Sequence, residues 1–229
     1  MKKVLAIIPA KAESIRLPGK NLLSFGGKPL VSHTIEQALA SSEIDKVYVS
    51  TDSEEIAIIA RSLGAEVPFM RPTFLSEPDV HSIMPILHLL EATDAISHFN
   101  YVMMLLPTCP LREVTQINEI SKLAKESESN VLSLVDTGKT QYHLRTIDNE
   151  GYAINLTGSV PTNFQHGDSS KIYSLNASCY CGPMETLIKH KTFHTDNPIA
   201  YPMDEVTGMD IDTLDQFIIA EIHYNIRKT

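Results

Sequence analysis

Two periods run through the apolar positions of this 229-residue chain. Val4-Leu5-Ala6-Ile7-Ile8 is an unbroken apolar run, the pattern of a strand buried on both faces of a parallel sheet. Residues 46–50, 101–106 and 130–135 read as further strands, with a short one over 65–69. Between them the spacing changes to that of helices. Leu30, Val31, Thr34, Ile35, Ala38 and Leu39 share one helical face behind Pro29. Asp52 with Glu55 has the form of a capping box for a helix that Gly64 stops. Two more helices are predicted, from after Asp79 to Ala92 and over 113–125. This alternation predicts an α/β fold with a three-layer, doubly wound, mostly parallel sheet. Loops following successive parallel strands then collect at one sheet edge, where such folds bind ligands.

Beyond Val135 the rhythm breaks. Residues 142–147 and 152–156 read as hairpin arms around Asp148-Asn149-Glu150-Gly151, and 155–171 as polar loop. We therefore expect one domain over 1–229, with 136–175 as an inserted arm. A strand over 172–181, a short helix over 183–190 and a strand over 199–203 follow. The last helix, 212–227, is predicted to bury Leu214, Phe217, Ile218 and Ile222.

Charge narrows the function. With 19 Lys and Arg against 28 Asp and Glu, the net charge is −9, which disfavours nucleic acid and acidic membranes as partners. Residues 1–28 nonetheless hold Lys2, Lys3, Lys11, Arg16, Lys20 and Lys28 against Glu13 alone. Several of these lie in the loop after the first strand, where Pro9, Pro18 and Gly19 forbid regular structure. A local cationic loop in an acidic protein suits a small polyanion such as a nucleoside triphosphate. Cys109, Cys179 and Cys181 match no disulfide framework and point to a reducing, cytoplasmic setting. The apolar run after Met1-Lys2-Lys3 is too short for a secretory leader, and no stretch reaches the roughly 18 apolar residues of a membrane span.

The chain contains neither G-x-G-x-x-G after the first strand nor G-x-x-x-x-G-K-[ST], and no G-x-S-x-G elbow. Dinucleotide oxidoreductases, P-loop enzymes and α/β-type serine hydrolases are thereby disfavoured. Asp210-Ile211-Asp212 offers two readings: paired oxygen ligands for Mg²⁺ on extended backbone, or acidic residues at a helix N-terminus. Cys179, Cys181, His190 and His194 have irregular spacing for a structural zinc module.

In order along the chain stand Ile8-Pro9-Ala10-Lys11 with Ser14, Leu17-Pro18-Gly19-Lys20-Asn21 and Gly27-Lys28-Pro29-Leu30. Ser50-Thr51-Asp52, Arg71-Pro72, the run Leu105 to Arg112, Asn176 and Asp210-Ile211-Asp212-Thr213 complete the series. This set resembles the acylneuraminate cytidylyltransferases, which join CMP from CTP to the anomeric hydroxyl of a 2-keto sugar acid and release pyrophosphate. The resemblance implies an Mg²⁺-dependent homodimer gripped through the inserted hairpin. By position it places Lys11, Ser14, Lys20 and Asn21 on the triphosphate, Arg71 and Ser82 on the nucleoside, and Arg112 and Arg145 near the sugar acid. Ala10, Arg16, Gln165 and Asn176 are further substrate-binding positions. Lys20 and Asp212 become catalytic, and Asp210 with Asp212 the metal ligands.

Departures fall on the acceptor side. Ile15 follows Ser14 where a basic residue is usual, Leu106 replaces a glutamine, Ser174 an arginine, and Phe164-Gln165 an Arg-Gln pair. Arg16-Leu17-Pro18-Gly19-Lys20 is nearer the Kdo cytidylyltransferases. A sialic acid or related nonulosonate and an octulosonate both stay open as acceptor. So do a sugar-phosphate nucleotidyltransferase and a non-catalytic sugar-nucleotide-binding module.

Overall fold

The computed structural model describes residues 2–156, 158–160, 163 and 171–228. Its centre is a six-stranded sheet. In chain order the strands are β1 (Val4–Pro9), β4 (Lys46–Ser50), β5 (Tyr101–Leu105), β6 (Val131–Thr140), β9 (Lys171–Pro183) and β10 (Ile199–Met203), and their spatial order is β10-β6-β9-β5-β1-β4. Parallel pairing joins β1 to β4 and β5, and β10 to β6, whereas β9 runs antiparallel between β5 and β6. Two short ribbons lie apart from the sheet: β2 (Ser24–Phe25) with β3 (Lys28–Pro29), and β7 (Arg145–Ile147) with β8 (Ala153–Asn155).

The apolar run of β1 divides by parity. Val4, Ala6 and Ile8 pack in one core with α1 (Leu30–Ala40), α2 (Glu54–Leu63) and α5 (Val114–Ser127); Leu5 and Ile7 pack in the opposite core. That second core is covered by α3 (Ile83–Ala92), α4 (Ala95–His98) and α6 (Met184–His190). Helices on both faces leave β1 no face toward solvent, which is why it carries no polar alternation.

A third, smaller core decides where the site lies. Leu17 from the first loop, Phe25 and Leu30, Leu111, and Ile211, Phe217 and Ala220 from the far end of the chain are buried together. The final helix α7 (Leu214–Lys228) is clamped here: Phe25 meets Phe217 edge-on with centroids 5.4 Å apart, and Tyr224 at 5.3 Å. Gly26 has φ 57°, and a Cβ on it would fall 2.0 Å from the Tyr224 ring, so neither the backbone nor the space admits a side chain.

Three local expectations need correction. Residues 65–69 make only a single bridge, Glu66 to Tyr48, because Pro68 cannot donate to a continuing ladder. The N-cap of α2 is Ser53, whose hydroxyl accepts from Ile56 N–H at 3.3 Å, leaving Asp52 for other partners. On α7 the buried residues are Phe217 and Ala220. Leu214, Ile218 and Ile222 are exposed, since docking through Phe217 and Tyr224 turns their side of the helix outward.

Candidate active site

The loop after β1 starts as an extension of the sheet, Ala10 N–H donating to the Ser50 carbonyl at 2.9 Å, and then leaves its carboxyl edge. Gly19, in the left-handed region at φ 63°, turns the chain into a 3-10 turn over Lys20–Leu22. This turn, fastened below by Leu17, delivers Lys20 and Asn21 to a cleft of about 300 Å³. Its walls include Lys11, Ser14, Arg16, Lys20, Asn21, Arg71, Ser82 and Asp212. Residues predicted from scattered sequence positions thus meet in one concavity. Ile15 and Leu106 line it too, with Glu77, an acidic wall residue that no sequence pattern announced.

The two chain ends meet through Lys20. Its ammonium donates to the Ile211 carbonyl at 2.5 Å and to Asp212 Oδ1 at 3.1 Å, with the lysine side chain 7% exposed. Asp212 Oδ2 pairs with Arg16 at 2.7 Å. The segment carrying Asp212 is held by Ile211 N–H donating to the Thr108 carbonyl at 2.8 Å. Asn21 donates to the Lys11 carbonyl at 2.8 Å, and its carbonyl oxygen is buried without a hydrogen-bond partner.

Asp210 borders an adjoining cavity of about 250 Å³, bounded also by His81, Ser82, Asn176, Tyr180 and Phe193. The Asp-Ile-Asp segment therefore stands at the junction of the cleft, lined by Asp212, and the neighbouring cavities, lined by Asp210, with Ile211 anchoring it to the third core. Burial, and secondarily the negative charge of Asp212, push the Asp210 carboxyl above its ordinary value. A cation at the segment would relieve that cost. Among the described residues no three His, Cys, Asp or Glu side chains converge as a complete metal cage. Two hard carboxylates beside a cleft for phosphate fit Mg²⁺, which is characteristically held by one or two carboxylates plus substrate oxygens. Cys109 lies 4.0 Å from Asp210, but burial raises its thiol to about 12, so it offers no thiolate at neutral pH.

Other predicted residues sit elsewhere. Ala10 is fully buried under the loop. Arg112 is 2% exposed, and its guanidinium donates to the Ser178 carbonyl, to Thr34 Oγ1 at 2.9 Å and to Gln37 Oε1 at 3.3 Å. These bonds turn it into the core, away from both cavities. Asn176, 4% exposed, borders the second cavity with its amide engaged: Nδ2 donates to the Gly208 carbonyl at 3.0 Å and Oδ1 accepts from Ser133 at 2.7 Å. It braces the segment that leads to Asp210. Arg145 is exposed on β7, donating to the carbonyls of Tyr142 and Leu144. Gln165, with Phe164, lies outside the described residues. Asp52 and Ala12, not predicted as site residues, hold residues of the cleft wall from behind; only Ser50-Thr51-Asp52 within the resemblance hinted at the former.

Residues 5–148 match the family model described as cytidylyltransferase. The chain is 33% identical over 219 residues to the CMP-N,N'-diacetyllegionaminic acid synthase of Legionella pneumophila, covering 92% of this chain and 91% of that protein. It is 27% identical to the pseudaminic acid cytidylyltransferase of Campylobacter jejuni, covering 98% and 97%. To an N-acylneuraminate cytidylyltransferase of Streptococcus agalactiae it is 32% identical, covering 94% of this chain and 52% of that longer protein. Among solved structures, CMP:2-keto-3-deoxy-manno-octonic acid synthetase complexed with CTP superposes with a TM-score of 0.73 at 15% identity, covering 98% of this chain and 99% of the other. With a family model over more than half of its length and a relative 33% identical over nearly the whole of both chains, the chain belongs to the acylneuraminate cytidylyltransferase family.

Proposed function

We propose that the protein transfers CMP from CTP to the anomeric hydroxyl of a 2-keto sugar acid of the nonulosonate class, releasing pyrophosphate. The observation that carries this reading is the meeting of Lys20 with Asp212 at one cleft, cation and carboxylate drawn from opposite ends of the chain. Lys11, Arg16 and Lys20 face the triphosphate, with Ser14 and Asn21 as hydrogen-bonding neighbours. Arg71 and Ser82 face the nucleoside, and the acceptor occupies the cavity beyond Asp210. In-line attack on the α-phosphorus builds charge on the equatorial and leaving oxygens, which Lys20 and Arg16 stabilise. Arg16, its side chain 67% exposed, is free to exchange Asp212 for phosphate. Asp212 then accepts the proton of the attacking hydroxyl. Asp210 and Asp212 would hold Mg²⁺, which supplies further neutralisation of phosphate charge.

Two features support a homodimer. The β7–β8 ribbon exposes Ile147 and Ile154, and α7 exposes Leu214, Ile218 and Ile222, apolar area that a second copy would cover. Three free, buried cysteines agree with a reducing, cytoplasmic setting. The activity is tested by supplying CTP, Mg²⁺ and a panel of nonulosonates, an octulosonate and sugar 1-phosphates, and reading pyrophosphate. Release with a nonulosonate is expected. Release with the sugar phosphates alone, or CTP binding without turnover on any acceptor, would overturn the reading. Asp212→Asn should abolish turnover and leave CTP binding measurable.

A further inference from the structure

Asp52 lies just past the end of β4, and its carboxylate faces inward with 17% of the side chain exposed. One oxygen, Oδ1, accepts from two directions: the backbone N–H of Ala12 at 2.9 Å and Arg71 Nη2 at 3.2 Å. Arg71, its side chain 3% exposed, also donates through Nε to Ser76 Oγ at 2.9 Å and through its backbone N–H to the Thr51 carbonyl at 2.7 Å. Burial alone would raise the Asp52 carboxyl. Hydrogen bonds from Ala12 and Ser76 and the charge of Arg71 outweigh it and keep the group below its ordinary value.

Neither Asp52 nor Ala12 lines the nucleotide cleft, but their neighbours do. Lys11, next to Ala12, and Arg71, with Leu75 and Glu77 flanking Ser76, line the cleft from two separate segments of the chain. Asp52 is thus the shared acceptor between a cationic loop and a separate segment of wall. Helix capping does not require it, because Ser53 performs that role.

We infer that Asp52 is a positioning residue that couples the two halves of the nucleotide site, fixing the phosphate-binding loop at a set distance from the nucleoside wall. The inference rests on the cytidylyltransferase reading. A ligand that spans both halves gains from a fixed spacing, whereas a ligand that occupies one half does not. Asparagine at this position could still accept from Ala12 but would lose the charged partner of Arg71.

The test titrates CTP, cytidine and inorganic tripolyphosphate into the full-length protein and its Asp52→Asn variant. CTP should weaken about tenfold or more, the scale of a lost charge-assisted hydrogen bond, while each fragment changes by less than about threefold. The KM for the acceptor should stay put. Ser76→Ala, which retains the carboxylate, should shift CTP in the same direction by less, and it serves if Asp52→Asn does not fold. Equal loss for all three ligands would overturn the coupling in favour of a merely structural role, and unchanged CTP affinity would overturn it outright. Failure of the wild-type protein to bind CTP would instead overturn the cytidylyltransferase reading, and the coupling with it.

Discussion

Replacing Arg112 by methionine separates a structural arginine from a substrate-binding one. The guanidinium is 2% exposed and serves the Ser178 carbonyl and hydroxyl, Thr34, Gln37 and the Leu106 carbonyl, all neutral acceptors. Methionine fills much of the volume and removes a desolvated charge, which works in the variant's favour. It also strands the Ser178 carbonyl in the core at a cost of about 1–3 kcal/mol and strips a hydrogen bond from both Thr34 and Gln37, about 1 kcal/mol each. These losses come to about 3–5 kcal/mol before the relief of charge burial is subtracted, a large part of the roughly 5–15 kcal/mol that holds a domain folded. For a chain of this length that lowers the thermal midpoint by about 6–20 °C. Thermal unfolding followed by circular dichroism reads the first quantity. Steady-state kinetics well below the midpoint reads the second, the KM for the keto sugar acid, which should match the wild type. A midpoint within about 2 °C of wild type together with an acceptor KM raised about tenfold would refute the reasoning and return Arg112 to the sugar-acid site.

Gly26→Ala should undock α7, because the new methyl meets the Tyr224 ring and the residue sits at φ 57°. The expected cost is about 2–4 kcal/mol, and turnover should fall as well, since α7 begins directly after Asp212 and Thr213. Calorimetry of Gly26→Ala with and without Tyr224→Ala checks the contact: the second change should relieve part of the first. For the homodimer proposed above, Ile222→Asp on the exposed apolar side of α7 should favour the monomer in sedimentation at micromolar concentration while leaving unfolding of the subunit nearly unchanged. Unaltered sedimentation would place any dimer contact elsewhere.

The parallel core was legible because burial on both faces leaves a direct trace in sequence. Val4 to Ile8 cannot alternate with polar residues when each parity faces its own core. Lys20 was legible for a different reason, as a cation in a Pro- and Gly-broken loop just past such a strand. What that reasoning could not reach were directions. The outward turn of Leu214, Ile218 and Ile222 depends on a contact between Tyr224 and Gly26, remote in sequence. Helical spacing shows that three residues share a side, not which way that side faces. Arg112 follows a strand end and resembles a site residue in every local respect, yet buried oxygens from Thr34 and Ser178 claim it. Asp52 has the residue type of a helix cap, but Ser53, equally suited and one position on, takes that role. For Arg112 and for the exposed side of α7 the deciding partner is distant along the chain, and only the fold brings it near.

Calorimetric titration of CTP with and without Mg²⁺, into the wild-type protein and into Lys20→Met and Asp210→Asn, tests most directly whether the two chain ends serve one nucleotide. Lys20→Met should weaken CTP in both conditions, and Asp210→Asn should erase the strengthening that Mg²⁺ brings to the wild type. If Mg²⁺ strengthens CTP binding equally in wild type and Asp210→Asn, or if Lys20→Met binds CTP as the wild type does, the shared site is contradicted.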